Sequence, residues 1–366
     1  MSNARQSDII PPACPLDHLA GLGADGDPAL VLRDRTLTHK DLKDRVARLA
    51  GWLQTQCPQK GTRVAVWVAK TELACLMPLA AARAGLVLVP INPLLKHGQV
   101  AHILADSEAR LLIGTPARLA TLQPGECHAR CSTAEEDIVM GALSDVLSPL
   151  PPSAHDPADL CAILYTSGST GLPKGVMLSH ANLWLGADSV ARYLELQADD
   201  VTLAVLPLSF DYGQNQLLST WFAGGCVVPI DHLFAKDVVR ACERDKVTTL
   251  AAVPPLWLQL VELDWPRAAT ASLRRLTNSG GALSEVLVRR LRSVVPDAML
   301  FAMYGLTEAF RSTYLDPVLI DAHPTSMGRA IPYAEILVIR DDGDLAAAGE
   351  EGELVHCGPL VALGYW

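Results

Sequence analysis

The residue types best suited to chemistry are concentrated between residues 164 and 180. There the run Leu164-Tyr-Thr-Ser-Gly-Ser-Thr-Gly-Leu-Pro-Lys-Gly follows an apolar stretch and combines hydroxyls, glycines and one lysine. Glycine permits backbone conformations in which successive amides point into one concavity, and hydroxyls add donors without bulk. Lys174 adds a mobile positive charge. The segment therefore predicts a loop that binds a triphosphate.

Two other interpretations of this loop are weaker. The Walker-type P-loop, G-x-x-x-x-G-K-[ST], does not fit, because a Leu-Pro dipeptide precedes Lys174 and Gly175 follows it. A flexible Ser/Gly linker also fits poorly, because linkers are seldom placed between an apolar strand and an amphipathic helix.

The same segment resembles the phosphate-loop signature of the adenylate-forming superfamily. This superfamily includes acyl-CoA synthetases, the adenylation domains of nonribosomal peptide synthetases and firefly luciferase. The signature is long, and nearly every position of it is matched here. The resemblance implies that one group of residues surrounds the β- and γ-phosphates of ATP and guides the departure of pyrophosphate: Thr166, Ser167, Gly168, Ser169, Thr170, Gly171 and Lys174.

Two later segments match further motifs of the superfamily in the expected order, Ser279-Gly-Gly-Ala-Leu and Met303-Tyr-Gly-Leu-Thr-Glu-Ala. The two glycines leave room for a flat ring against the backbone. Tyr304 offers an aromatic face to adenine, worth about 1–3 kcal/mol by analogy with base stacking. The resemblance implies ATP contacts from these segments: Gly280, Gly281, Ala282, Tyr304, Gly305 and Thr307.

Three residues are predicted to be catalytic. Thr307 is suited to donate a hydrogen bond to the α-phosphate, and Lys174 is assigned to the departing phosphates. Glu308 is a hard oxygen ligand suited to Mg²⁺, with Thr166 predicted as a second metal ligand. Taken alone, Glu308 is more typical of a solvated helix start, so its order and spacing relative to residues 164–180 carry the assignment.

The segment Phe210-Asp211-Tyr212-Gly213 falls where the superfamily builds its acyl pocket. Many acyl-CoA synthetases have His-x-Tyr/Phe-Gly here, whereas amino-acid-activating domains have Phe-Asp, whose Asp pairs with the substrate ammonium. Asp211, Tyr212 and Asn215 are therefore predicted to bind the acid. A buried carboxylate is costly unless it is paired, and two partners for Asp211 stay open: a polar substrate group such as an amine, or backbone amides.

The elements that must position these residues alternate between strand and helix. Thr38 is a plausible N-cap for a helix with apolar residues at helical spacing. Short apolar runs at 64–68, 86–89 and 110–113 predict buried strands, with helices at 71–84 and 99–107 between them. Further strands are predicted at 201–206, 226–230, 248–253 and 299–303, and paired β-strands at 334–339 and 352–356. Residues 114–158 have less pattern and are expected to form a surface connection.

This alternation predicts an α/β fold with parallel sheets that are covered on both faces. The resemblance implies an acyl-CoA synthetase-like N-terminal domain, with two parallel-rich sheets, packed helices and a smaller β-rich subdomain that forms a distorted barrel. Within residues 1–366, the expected parts are a first α/β lobe at about 1–158, a second at about 159–325 that contains the phosphate loop, and the start of the β-rich part at about 326–366.

Members of the superfamily continue beyond the position of Trp366. Their next parts are a motif whose Asp holds the ribose, then a hinge, then a small domain with the lysine that contacts the carboxylate. We expect this C-terminal lid domain to be absent from the 366 residues, which should then adenylate slowly and fail at thioester transfer.

Composition excludes several classes of protein. The net charge is −10 without a basic face, which argues against a nucleic-acid partner. The first eight residues lack a secretory pattern, and the apolar stretch at 73–91 is interrupted by Arg83, Pro78 and Gly85, so no membrane span and a cytoplasmic location are expected. The nine cysteines are predicted to be free thiols; Cys127 and Cys131 lack a second pair at zinc spacing.

The leading hypothesis is an AMP-forming acyl-CoA ligase that uses ATP, Mg²⁺, a small carboxylic acid and CoA. Residues 307–315 resemble a ligase group found beside bacterial exosortase systems. The alternative activates an amino acid and loads it onto the phosphopantetheine of an acyl or peptidyl carrier protein. A third possibility is a non-catalytic nucleotide-binding scaffold. The sequence leaves the acid and the oligomeric state open.

Overall fold

The computed structural model describes residues 10–166 and 172–366. Its strands, numbered along the chain, are β1 (Pro28–Val31), β2 (Thr36–Thr38), β3 (Arg63–Trp67), β4 (Val87–Pro90), β5 (Leu111–Gly114), β6 (Ser132–Glu135), β7 (Leu160–Thr166), β8 (Lys174–Ser179), β9 (Val201–Ala204), β10 (Cys226–Pro229), β11 (Thr249–Ala252), β12 (Arg275–Asn278), β13 (Met299–Tyr304), β14 (Thr313–Tyr314), β15 (Arg329–Ala330), β16 (Glu335–Ile339), β17 (Glu353–Cys357) and β18 (Gly364–Tyr365).

The α-helices of the described residues are α1 (His39–Gln56), α2 (Glu72–Arg83), α3 (His97–Ser107), α4 (Pro116–Leu119), α5 (Glu136–Ala142), α6 (His180–Tyr193), α7 (Asp211–Phe222), α8 (Ala235–Asp245), α9 (Pro254–Leu260), α10 (Arg267–Thr270) and α11 (Glu285–Val294). Short 3-10 helices cover Leu16–Gly21, Leu143–Asp145, Thr307–Ala309 and Pro317–Leu319.

These strands form two large sheets and one small one. The nine-stranded sheet has the order β15-β14-β13-β12-β11-β9-β10-β1-β2, and the seven-stranded sheet has the order β18-β8-β7-β4-β3-β5-β6. The inner strands of both sheets are parallel, whereas β2, β8, β14, β15 and β18 pair in the antiparallel sense. The predicted α/β fold with two parallel-rich sheets is confirmed.

The seven-stranded sheet is buried on both faces. Along β3, Val64 and Val66 belong to the main core, which also contains residues of α1, α2, α6, α7 and the nine-stranded sheet. The alternate residues Ala65 and Trp67 face a second cluster, built on α3. Because both faces are covered, the strands are continuous apolar runs rather than alternating ones, which is why they were detectable in the sequence.

Several local predictions are confirmed. Thr38 caps α1, accepting a hydrogen bond from the amide of Asp41, whose carboxylate bonds back to the Thr38 amide. The paired strands near the end of the chain are β16 and β17. In the described residues, however, this β-rich part is a two-stranded sheet, and no closed barrel is formed. All nine cysteines are free.

Two features differ from the sequence analysis. Residues 114–158 contain α4, α5 and the edge strand β6, which pairs with β5 on one side only and is half exposed, so it needs few apolar residues. The division near residue 158 does not follow the sheets: β1 and β2 join the nine-stranded sheet, and β7 and β8 join the seven-stranded one. Strand–helix alternation predicts local pairing but not which sheet edge a distant strand joins.

The start of α6 holds a buried imidazole. His180 is 2% exposed, and its Nδ1 accepts a hydrogen bond from the Leu16 amide at 3.1 Å. Burial, with repulsion from His155, lowers the pKa of His180 to about 4. The folded state therefore binds a proton less readily than the unfolded chain, in which histidine titrates near pH 6.5.

This depressed pKa predicts a loss of stability in acid. The contribution of His180 is fully present above about pH 6.5 and is lost as the pH falls towards about 4, at a cost of about 3 kcal/mol. In His180→Asn the amide oxygen can still accept from Leu16, but the titration is gone. Denaturant unfolding at pH 7 and 4.5 should show a smaller loss for the variant than for the wild type. Equal losses would disprove the role of His180.

Within residues 10–166 and 172–366, no helix combines the length and the hydropathy that crossing a bilayer requires.

Candidate active site

The predicted phosphate loop closes a β-hairpin. Thr166 at the end of β7 pairs directly with Lys174 at the start of β8. Thr166 is half-buried, and the side chain of Lys174 is exposed at the mouth of the hairpin. The other predicted phosphate ligands lie outside the described residues: Ser167, Gly168, Ser169, Thr170 and Gly171. Lys174 thus begins β8, which pairs antiparallel with β7 and leads into α6.

A cavity lies where β12 and β13 end. These neighbouring parallel strands are in register, with Asn278 opposite Ala302, so the segments that follow them meet at the same edge of the sheet. The cavity has a volume of about 560 Å³, within the range of small-molecule sites. Five predicted nucleotide contacts line it, together with residues 324–327: Gly280, Gly281, Ala282, Tyr304 and Gly305.

The turn after β12 is fixed locally. Asn278 donates from Nδ2 to the carbonyl oxygen of Gly281 at 2.9 Å, and Gly280 has a φ of +76°. This backbone conformation is strained for a residue with a Cβ atom. The glycine at position 280 therefore lets the chain fold back along the cavity wall.

The turn after β13 is also tight. A Cβ atom at Gly305 would lie 2.7 Å from the Cα of Arg311 and from the carbonyl oxygen of Phe310. Phe310 has a φ of +55°, is 1% exposed, and directs the chain inwards after the 3-10 helix at 307–309. This turn places Thr307 and Arg311 beside the start of α7.

Asp211, the first residue of α7, lies in a buried ion pair. Its Oδ2 accepts a hydrogen bond from Arg311 Nη1 at 2.6 Å, and its Oδ1 lies 3.4 Å from the hydroxyl of Thr307. The side chains of Asp211 and Arg311 are 3% and 2% exposed. Burial is the largest single influence and lowers the pKa of Arg311, but the charge of Asp211, the neighbouring Tyr193 and Tyr212 and the hydrogen bond to Asp211 together outweigh it, so the pKa is raised. The carboxylate is thus satisfied by a guanidinium, a partner that the sequence analysis did not consider.

Tyr212 and Asn215 do not reach the cavity at β12 and β13. Tyr212 shares a hydrogen bond of 2.6 Å with the hydroxyl of Thr277, and the guanidinium of Arg311 lies 4.5 Å from its ring centre. Both Tyr212 and Asn215 line an internal cavity of about 20 Å³, which has room for about one water molecule. In this structure neither side chain lines the cavity at β12 and β13 or the groove between the two large sheets that is described below, so neither is placed to contact an acid there.

Glu308 and Lys174 are brought together by the last strand. β18 pairs with β8 and places Tyr365 between them: its hydroxyl donates to Glu308 Oε1 at 2.8 Å, and its ring centre lies 5.6 Å from Lys174 Nζ. The hydrogen bond to Glu308 raises the pKa of Tyr365. The two predicted motifs, far apart in the sequence, are therefore neighbours in the fold.

The donor set at Glu308 fits Mg²⁺. Among the described residues, no group of three or more His, Cys, Asp or Glu side chains could hold a metal by itself. A single half-buried carboxylate is what Mg²⁺ uses when substrate phosphates supply its other ligands.

A second large cavity, of about 550 Å³, lies in a groove between the two large sheets. Its lining is largely apolar; its cationic residues are Arg118 and Lys70, the latter paired with Asp231 at 2.9 Å. Gln214, on α7, is 1% exposed and lines the groove, and its side-chain amide has no partner among the described residues. Val253 also lines the groove and lies 3.4 Å from the position of a Cβ atom at Gly280, so the two cavities meet there.

The sequence analysis missed three features of this site. Arg311 lies within the segment 307–315 but was not assigned a role. Tyr365, in the segment Gly364-Tyr-Trp, carried no distinguishing signal of its own. The groove depends on how the two sheets pack, which no local pattern reports.

Comparison with known proteins gives concordant matches. The family model for the AMP-binding enzyme matches residues 21–366. A feruloyl-CoA synthase of Amycolatopsis is 33% identical over 338 residues, which cover 90% of this chain and 66% of that protein. An L-proline–[L-prolyl-carrier protein] ligase of Pseudomonas fluorescens is 30% identical over 349 residues, 92% of this chain and 70% of that protein.

A solved structure supports the same grouping. The crystal structure of VinN superposes with a TM-score of 0.87 at 27% identity, covering 98% of this chain and 91% of VinN. The chain spans about two thirds of the length of the feruloyl-CoA synthase and slightly more of the prolyl-carrier ligase.

Proposed function

The chain belongs to the AMP-binding enzyme family, and on that premise we propose that it activates a carboxylic acid with ATP as an acyl-adenylate and then transfers the acyl group to CoA. One observation carries the proposal: Tyr365 links Glu308 to Lys174, so the phosphate hairpin and the Thr-Glu motif share one site. The cavity at Tyr304 adjoins this site and has the size for a nucleoside.

In the first step, a carboxylate oxygen of the acid attacks the α-phosphorus of ATP. The bond from that phosphorus to the bridging oxygen breaks, and pyrophosphate leaves. In this proposal Tyr304 presents its ring to adenine, and Gly280, Gly281, Ala282 and Gly305 form the walls around the nucleoside.

Other residues act on the phosphates. Thr307 donates a hydrogen bond to the α-phosphate, and Lys174, with Thr166 and residues 167–171, neutralises the departing pyrophosphate. In this proposal Glu308 and Thr166 would hold Mg²⁺. Its positive charge would offset the negative charge of the transition state.

In the second step, the sulfur of a thiol attacks the acyl carbon, AMP leaves and the thiol proton passes to solvent. We assign the arm of the thiol to the groove between the sheets. Its apolar walls suit the methylene and methyl groups of pantetheine, the unpartnered amide of Gln214 suits the amide groups of that arm, and Arg118 suits a phosphate of CoA.

A carrier protein is the second candidate for the acceptor. The 30% identity to a prolyl-carrier ligase favours it.

Exchange of labelled pyrophosphate into ATP, measured with the full-length protein across fatty, aryl and amino acids, tests the first step. At least one acid should support exchange above the acid-free blank. Release of AMP with CoA, compared with release in the presence of a phosphopantetheinylated carrier protein, then identifies the acceptor. An absence of acid-dependent exchange across the panel would refute the proposed function.

A further inference from the structure

The acid that this site activates is restricted by the partner of Asp211. We propose that Arg311 is a specificity-determining residue, which occupies Asp211 as an internal counter-ion and thereby selects acids without an ammonium group next to the carboxylate. This inference rests on the proposed function, and it names the substrate class of that same site.

Asp211 lies next to the proposed reaction centre. One of its oxygens is 3.4 Å from the hydroxyl of Thr307, the residue assigned to the α-phosphate. The attacking carboxylate of the acid must come close to that phosphate. An ammonium on the adjacent carbon of the acid would therefore approach the buried carboxylate of Asp211.

The charge of Asp211 is already compensated. Arg311 Nη1 donates to Oδ2 at 2.6 Å, while Oδ1 has a longer contact of 3.4 Å with the Thr307 hydroxyl, which turns away from Asp211 when it donates to the α-phosphate. With 3% and 2% exposure, the two charges are removed from water, and a buried charge is stable only when it is compensated. The arginine thus provides the compensation that an amino-acid substrate would otherwise bring.

Arg311 is held where it is. Its guanidinium lies 4.5 Å from the ring centre of Tyr212 and 5.4 Å from that of Phe310, and Nη1 also donates to the Phe310 carbonyl oxygen at 3.3 Å. The cavity that Arg311 borders has a volume of only about 20 Å³, room for about one water molecule.

An ammonium group entering this site would meet two unfavourable conditions. It would approach a carboxylate whose charge is already neutralised, and it would lie close to the guanidinium, a like charge in a region of low dielectric. Acids without the ammonium avoid both costs.

Matched pairs of acids test the inference without any variant. Exchange of pyrophosphate into ATP is measured for 3-phenylpropanoate against phenylalanine, and for butyrate against 2-aminobutyrate. For the wild type, kcat/KM should be lower for the amino acid of each pair by at least about tenfold, the effect of one uncompensated polar group. Equal or greater activity with the amino acids would overturn the inference.

Arg311→Gln then tests the residue itself. Removing the guanidinium frees the charge of Asp211, so the ratio of amino to non-amino kcat/KM should rise by at least about tenfold. In Arg311→Lys, which keeps the positive charge, and in the double variant Asp211→Asn/Arg311→Gln, which has no charge on either residue, the ratio should stay at the wild-type value.

A folded Arg311→Gln protein with an unchanged ratio would overturn the inference. If thermal melting shows that this variant does not fold, the matched pairs on the wild type decide alone. Failure of the proposed function gives a different result, since no acid of either pair, nor any of the fatty and aryl acids, would then support exchange with the wild type.

Discussion

Replacing Glu308 with glutamine is expected to lower acid-dependent pyrophosphate exchange by at least about a hundredfold, which corresponds to about 3 kcal/mol in the activation barrier. The amide keeps the size of the side chain and can still accept the hydrogen bond from Tyr365. It loses the negative charge that makes the carboxylate a ligand for Mg²⁺. The reduction should appear in kcat for exchange at saturating ATP and acid.

The matched control for this variant is Glu353→Gln at the exposed first residue of β17, which should exchange at the wild-type rate. Thermal melting of both variants separates a loss of chemistry from a loss of folding. If Glu308→Gln stays within about twofold of the wild type while folded, Glu308 has no part in the reaction.

Replacing Asp211 with asparagine is expected to lower the free energy of unfolding by about 3–5 kcal/mol, because it leaves the buried charge of Arg311 without a partner. The substitution is nearly isosteric, so little packing is lost. Denaturant unfolding measures the change, provided that the transition remains two-state.

Two comparisons make this result specific. Adding Arg311→Met to Asp211→Asn should restore most of the lost stability, because the uncompensated charge is then removed as well. Glu285→Ala breaks the ion pair between Glu285 and Arg289, whose side chains are 55% and 68% exposed. This variant should change stability by less than about 1 kcal/mol. A loss of less than 1 kcal/mol for Asp211→Asn would show that the pair does not compensate a buried charge.

The parts of the fold that the sequence predicted depend on local causes. Thr38 was identified as a helix cap because its hydroxyl and Asp41 act within one turn. The strands β3 to β5 were detectable because burial on both faces makes them continuously apolar. Gly280 and Tyr304 were assigned to the nucleotide because their motifs resemble those of the superfamily, and the structure brings them together because Gly280 follows β12 and Tyr304 ends the neighbouring parallel strand β13.

The parts that it did not predict depend on contacts between distant segments. Asp211 and Arg311 are 100 residues apart. Arg311 turns inwards because Phe310 adopts a positive φ, and the sequence does not predict a positive φ at a phenylalanine. Tyr365 reaches Glu308 only because β18 joins the edge of the seven-stranded sheet at β8. Tyr212 and Asn215 were assigned to the acid from their neighbours in the chain, whereas they pack around a cavity of about 20 Å³.

The central claim is that one molecule of ATP spans the cavity at Tyr304 and the hairpin at Lys174. A crystal structure of the full-length protein soaked with ATP and Mg²⁺ measures this directly. The claim predicts adenine against Tyr304 and Gly280, the metal at Glu308, and the terminal phosphates within hydrogen-bonding distance of Lys174. ATP seated instead in the groove between Lys70 and Arg118, with the cavity at Tyr304 empty, would contradict it.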